Sequence, residues 1–287
     1  KPGLGIAEGD ILLAINGELL SPDFTPGEAL LNQVKADVLL RFKKAGTQDI
    51  KTIQVRTLGS DAPARYRDWV NANRAYVHEQ SGGKIGYVHI PDMGAHGFAE
   101  FYRAYLKECQ YPALLVDVRF NGGGHVSQLL LDKLSRKRLG YDIPRWGKPE
   151  PYPSSAVLGP ILALTDENAG SDGDIFSHSF KMMKLGPLVG KRTWGGLVGI
   201  WGVPGFIDGG YMTAPRSGFY GTNGQWQVEN EGVMPDVSVE QWTKFTSKGL
   251  DPQLDKAIEV GLEELKGYTS PIKAQPKDPV RVPVPRQ

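Results

Sequence analysis

Apolar residues along the chain gather into short runs, and the character of those runs changes near residue 84. Before it they are interrupted by charge. Ile11-Leu12-Leu13-Ala14-Ile15 ends at the turn pair Asn16-Gly17, and two alternating runs over 38–42 and 50–55 flank the polar turn Lys44-Ala45-Gly46-Thr47. Such spacing predicts short strands joined by turns, with Pro26-Gly27 opening a helix over 28–35. Beyond residue 84 the apolar runs are continuous: strands are expected over 85–90, 113–119 and 157–165, alternating with helices over 97–109, 126–134 and from 175 onward. Uninterrupted apolar strands suit a sheet covered on both faces, and strand-helix alternation marks an α/β layer. Trp69, Ala72, Tyr76 and Val77 approximate one helical face, so residues 61–83 read as a bridging helix closed by Ser81-Gly82-Gly83. A last helix is expected over 252–265. Residues 267–287, with Pro271, Pro276, Pro279, Pro283 and Pro285, are expected to form an extended tail, mobile or laid over a neighbouring subunit.

The third of these strands leads to the most informative chemistry. Asp166-Glu167-Asn168-Ala169-Gly170-Ser171-Asp172-Gly173-Asp174 joins it to the next helix, placing Ser171 at a strand-to-helix bend. A hydroxyl there can act as a nucleophile beside helix-start amides that favour developing negative charge. A serine in this position can equally be a plain helix N-cap. Asn121-Gly122-Gly123-Gly124 follows another strand, and its bare amides could cradle an oxyanion. It lacks both the Lys-Ser/Thr of a phosphate-binding loop and the dinucleotide-binding glycine spacing. Both glycine elements fall at C-terminal strand ends, where open α/β sheets place ligands. An oxyanion hole built from the two is physically sensible.

Composition narrows the field by exclusion. The 33 basic and 32 acidic residues leave a net charge of +1, so no global field draws the chain to nucleic acid or anionic lipid. Cys109 is the single cysteine, which rules out an internal disulfide or a multi-cysteine metal centre and suits a reducing, cytoplasmic compartment. No apolar run approaches the roughly 18 residues of a membrane span. The start, Lys1-Pro2-Gly3-Leu4, reads as the interior of a longer polypeptide rather than a secretory signal.

Residues 9–17, Gly-Asp-Ile-Leu-Leu-Ala-Ile-Asn-Gly, resemble the signature of the later portion of a PDZ domain, so residues 1–60 are expected to form a partial PDZ-like domain. From Tyr66 to Leu265 the chain resembles the tricorn proteases of the C-terminal-processing peptidase superfamily. The blocks carrying the likeness are residues 83–93, 116–124, 168–174, 191–196 and 228–237. This resemblance implies an α/β, crotonase-like C-terminal-processing-peptidase core over 84–266, acting as a serine peptidase without metal or organic cofactor. Carried over by residue, it makes Ser171 the nucleophile, the amides of Gly124 and Asp172 the oxyanion donors, and Glu229 the acidic residue that orients the catalytic apparatus. Asp142 would be the determinant that accepts a basic P1 side chain, reaching the pocket of a neighbouring subunit. The family also implies short peptide substrates, a homo-hexamer or other homo-oligomer, and β-propellers upstream, since no repeat of roughly 40 to 50 residues occurs in this chain.

The family's catalytic histidine lies in a segment upstream of the PDZ domain and has no counterpart among the five histidines here. His89 sits in a strand, and His178 lies two helical turns from Ser171. His125 follows the oxyanion loop, while His96 and His78 suit surface or subunit contacts. The expectation is therefore a base supplied by an upstream segment of the same polypeptide. Two other classes fit parts of the pattern: a peptide-binding scaffold with a peptidase fold, and a crotonase-type hydratase using paired amides on a thioester. The segment from Trp194 to Gly202 could line a substrate cleft or let strands cross closely; the cleft wall is the expectation.

Overall fold

The computed structural model describes residues 3–200, 205–270 and 274–277. Chain packing divides these into two units, with the boundary after Trp69. In the first unit, β1 (Ile11–Ile15), β2 (Glu18–Leu19), β3 (Asp37–Lys43) and β4 (Ile50–Arg56) form an antiparallel sheet in the order β2-β1-β3-β4. Asn16 and Gly17, at φ 52° and 91°, close the first hairpin. Both positive values match the two-residue turn that the Asn-Gly pair favours. Ala14, Ile15, Val38 and Phe42 are its buried apolar residues.

The helix expected over 28–35 is much shorter: α1 spans Pro26–Ala29. Its start is well specified, since the Thr25 hydroxyl accepts from the Glu28 amide and the Glu28 carboxylate accepts from the Thr25 amide. It stops because the following backbone turns left-handed at Asn32 and Lys35, φ 59° and 55°. Helix α2 (Ala62–Gln80) occupies the expected bridge, and the unit boundary falls inside it.

The second unit is built on β5 (Ile85–His89), β6 (Ala113–Asp117), β9 (Ile161–Thr165), β10 (Leu188–Gly190) and β11 (Val237–Ser238), all parallel, in the order β11-β10-β9-β6-β5. Between them run α3 (Ala95–Glu108), α4 (Ser127–Leu134), the ribbon β7 (Gly140–Asp142) with β8 (Glu150–Tyr152), and α5 (Asp172–Met182). Short α6 (Thr243–Thr246) precedes α7 (Pro252–Gly267).

The sequence order of the strands steps across the sheet in one direction, so right-handed crossovers place the connecting helices on one face. Val88, Leu114, Val116 and Ala163 accordingly share a core with Phe101, Leu130, Phe176 and Phe180 of α3, α4 and α5. Helix α7 packs against the sheet through buried Leu254, Ala257 and Ile258, with Gly261 against Ile85 and Leu162. Strand β9 begins at Ile161 rather than at 157. Pro160 has no amide to pair, and a Cβ on Gly159 would come 2.2 Å from the carbonyl oxygen of Pro112.

Beyond the end of β6, Arg119 is buried at 2% exposure between Asp117 and Asp251, with guanidinium contacts of 2.8 and 2.9 Å. Tyr87 also donates its hydroxyl to Asp117 at 2.8 Å. Burial, the largest single influence, would raise the Asp117 carboxyl, but the charges of Arg119 and His89 and the hydrogen bonds from Arg119 together outweigh it and hold the group low. Since truncating one partner strands a buried charge, Asp117→Ala is expected to lower unfolding free energy by about 3–5 kcal/mol in urea denaturation. The same pair fixes the backbone that continues into Phe120 and Asn121.

Candidate active site

Ser171 precedes the first turn of α5 with φ 54° and ψ −120°, a backbone conformation L-residues rarely adopt. Strain of this kind costs about 1–3 kcal/mol and persists only where surroundings enforce it. They do so here: the Ser171 amide donates to Gly196 O at 3.1 Å, and the Gly170 amide to Asn121 O at 2.9 Å. The Ser171 side chain makes no capping bond to its own helix. The plain N-cap reading is thereby set aside, and the hydroxyl remains available for other work.

The glycine loop meets this bend. A Cβ on Gly123, at φ 91°, would lie 2.6 Å from Ser171 Cβ and 3.0 Å from the Asp172 amide nitrogen. Gly124, at φ 149°, pairs with Met93 in an isolated parallel bridge, where the Met93 amide donates to Gly123 O and the His125 amide to Met93 O. In that alternation the Gly124 amide points away from Met93. The Asp172 amide, first in its helix, has no intrahelical acceptor. Loop and bend thus bring the two expected amide donors to the same neighbourhood as Ser171.

Several residues hold the arrangement that their sequence context did not single out. Buried Asn121 bonds Ile90 O through its amide nitrogen at 2.8 Å and accepts from the Gly123 amide at 2.9 Å. Asp166 accepts from the amides of Phe120, Asn168 and Ala169. Burial nevertheless raises its carboxyl above the usual range. The Asp172 carboxylate caps the next helix over, accepting from the Ser127 amide at 3.0 Å and from its hydroxyl. A serine three residues before Asp174 is itself the spacing of a capping box, the one signal that could have drawn attention to Asp174.

Glu229 is half-buried, and its Oε2 accepts from the amides of Leu197 and Val198 at 2.5 and 2.8 Å. Those two residues follow Gly196, the acceptor for Ser171. Ser171 and Glu229 are therefore attached to consecutive residues of one segment. Asp142 stands apart. It is exposed on β7 opposite Glu150 of β8, and among the described residues no hydrogen bond or ion pair joins it to the Ser171 bend.

Trp194 is 63% exposed, yet its ring is seated on Gly170 and Gly196, where added Cβ atoms would come within 2.6 and 2.3 Å of it. This part of the expected cleft wall adjoins the Ser171 bend; Trp201 and Gly202 lie outside the described residues.

The histidines have other placements. His78 pairs with Glu108 at 2.7 Å, His89 lies 3.1 Å from Arg119 O, and His96 pairs with Asp92 at 2.9 Å. Burial lowers His89 and His178 alike. His178 meets Phe219 edge-on at 5.6 Å, beside a cavity of about 500 Å³ also lined by Gln128, Met182 and Gln227. His125 is exposed, next in sequence to Gly124.

The model of Peptidase family S41 matches residues 84–239, and that of the Tricorn protease PDZ domain matches residues 1–60. The chain belongs to peptidase family S41. This S41 chain is 47% identical over 260 residues to the Tricorn protease of Thermoplasma volcanium, covering 91% of the chain and 25% of that relative. It is 41% identical over 278 residues to Tricorn protease homolog 1 of Streptomyces coelicolor, covering 97% of the chain and 26% of the relative. A crystal structure of the tricorn protease superposes with a TM-score of 0.88 at 47% identity, over 91% of this chain and 26% of that one. The chain thus spans about a quarter of the length of the relatives it matches. Among the described residues no helix is long and apolar enough to cross a membrane.

Proposed function

We propose that this S41 chain is the catalytic part of a tricorn-type serine peptidase that hydrolyses short peptides through an acyl-enzyme on Ser171. The Ser171 oxygen adds to the scissile carbonyl carbon as its proton passes to a general base. The C–N bond then breaks, the base returns the proton to the leaving amine, and water repeats the sequence to release the acid and regenerate Ser171. The amides of Gly124 and Asp172 stabilise the tetrahedral oxyanion, and Glu229 orients the apparatus. Each preorganised donor of this type contributes about 3–4 kcal/mol to the transition state. The observation that carries the reading is the strained Ser171 bend pressed against the glycine loop, with no capping role for the hydroxyl.

The base is proposed to be a histidine from a segment upstream of residue 1, since the histidines here are committed elsewhere or exposed beside the loop. A homo-hexamer or other homo-oligomer, cytoplasmic action and a crotonase-like fold for the core complete the proposal. Labelling of the full-length polypeptide by a fluorophosphonate, located by mass spectrometry, tests it. Ser171 should carry the adduct, and modification elsewhere or nowhere would refute the assignment. The same histidine placements also favour the scaffold reading. Peptide binding by the full-length protein with no turnover would establish that reading instead.

Asp142 is proposed to select Lys or Arg at P1 in a neighbouring subunit. Glu150 stands directly opposite it in the ribbon. Like charges at facing positions repel, and a cationic side chain between them relieves this. On short fluorogenic peptides, Asp142→Ala should lower kcat/KM for basic P1 by about 10–100-fold while sparing hydrophobic P1. Equal losses on both would end the specificity role.

A further inference from the structure

The most unusual buried group near the bend is Asp174, three residues into α5 from Ser171 and fully excluded from solvent. Its Oδ1 accepts from the Thr193 hydroxyl and from the Gly195 amide at 2.9 Å, while Oδ2 is buried without a hydrogen-bond partner. A buried carboxyl with one idle oxygen is costly. Burial raises it above the usual carboxylate range, the bonds from Thr193 and Gly195 work against that, and the charge of Glu229 adds to the rise. A fold that only needed to fill this space could do so with an apolar side chain.

What the carboxyl connects accounts for its presence. Thr193 also accepts from the Val233 amide at 2.8 Å, tying in the far side of the turn that carries Glu229. The Asn230 amide donates to Gly195 O at 2.7 Å. From Gly195 the chain runs to Gly196, which holds the Ser171 amide, and then to Leu197 and Val198, which hold Glu229. The Ser171 amide and the Glu229 carboxylate are thus both hydrogen-bonded to residues 196–198. Among the described residues, Asp174 is the one side chain of α5 that hydrogen-bonds to segment 193–198.

We propose that Asp174 is a positioning residue that locks segment 193–198 to the first turn of α5 and so holds Ser171 and Glu229 in one frame. This rests on the peptidase reading above. It does not touch substrate; it acts through the backbone that holds Ser171 and Glu229.

The test is made in the full-length polypeptide. Asp174→Ala is expected to lower kcat by about 100-fold with KM changed less than about threefold, as for loss of a group acting on the transition state alone. Asp174→Asn keeps an acceptor at Oδ1 for both donors, and should restore kcat to within about fivefold of wild type. Thr193→Val should fall between the two. Ile258→Ala, on α7, supplies a variant destabilised without disturbing the segment, and should keep its kcat below the melting transition. Wild-type kcat in Asp174→Ala would overturn the proposal. So would a loss that Asp174→Asn does not repair, or an equal loss in Ile258→Ala. A crystal structure of Asp174→Ala or Thr193→Val decides the matter independently of turnover. If Ser171 keeps its φ and Glu229 keeps both amides, Asp174 positions nothing. If the frame shifts but wild-type protein never labels at Ser171, the peptidase reading fails while the structural lock stands.

Discussion

Ser171→Ala in the full-length polypeptide is expected to abolish peptide turnover, lowering kcat by roughly four to six orders of magnitude while peptide affinity changes little. The magnitude follows from the way a nucleophile, base and orienting acid act as a unit, so that losing one costs nearly as much as losing all. Substrate binding draws on other surfaces, so a peptide titrated calorimetrically should bind the variant within about threefold of wild type. Residues 1–287 alone should resemble the variant, because a serine hydroxyl without a base is poorly nucleophilic at neutral pH. Peptide turnover by residues 1–287 at the rate of the full-length protein, abolished by Ser171→Ala, would place the base within this chain. His125, beside Gly124, would then be the first histidine to substitute.

The second large effect concerns one methyl group. Gly124→Ala should lower kcat by about 10²–10³-fold, the usual consequence of removing one oxyanion donor. The new Cβ would come 2.1 Å from the carbonyl oxygen of Met93, backbone that cannot rotate away, and φ 149° is itself unfavourable to alanine. The loop must therefore shift, carrying the Gly124 amide out of place. Gly122→Ala is the matched comparison, since its Cβ would meet nothing within 4 Å. It should retain kcat within about threefold, measured on the same fluorogenic peptides. Equal losses at the two positions would show that the loop tolerates no side chain for a reason other than this contact.

The contrast between these two glycines was not visible in the sequence, where Gly122, Gly123 and Gly124 form one undifferentiated run. Continuous apolar runs did predict β5, β6 and β9, because a strand buried on both faces carries its environment in its own residues. The strand-to-helix bend at Ser171 was legible for the same reason. Long-range pairing was not. Glu229 lies 32 residues from Leu197, and its partners are amides, which every residue but proline possesses. Asn121 was hidden by its neighbours, since its role depends on Ile90 and Gly170 being brought to it. The helix expected over 28–35 failed because Thr25 and Glu28 define a start but nothing nearby sustains the helix beyond Ala29. The role expected for Glu229 came from the family resemblance, and its amide partners and the place of Asp174 only from the structure.

Trp194 has a consequence for how this region can change over time. Its indole fills the space that a Cβ on Gly170 or Gly196 would need, so a side chain gained at either glycine must displace the ring. The three positions form a compensating set. A change at either glycine should be harmful alone and milder once residue 194 is small, whereas shrinking residue 194 first opens a path to both. Mutational routes through this part of the molecule are thus ordered, with the indole as the gate.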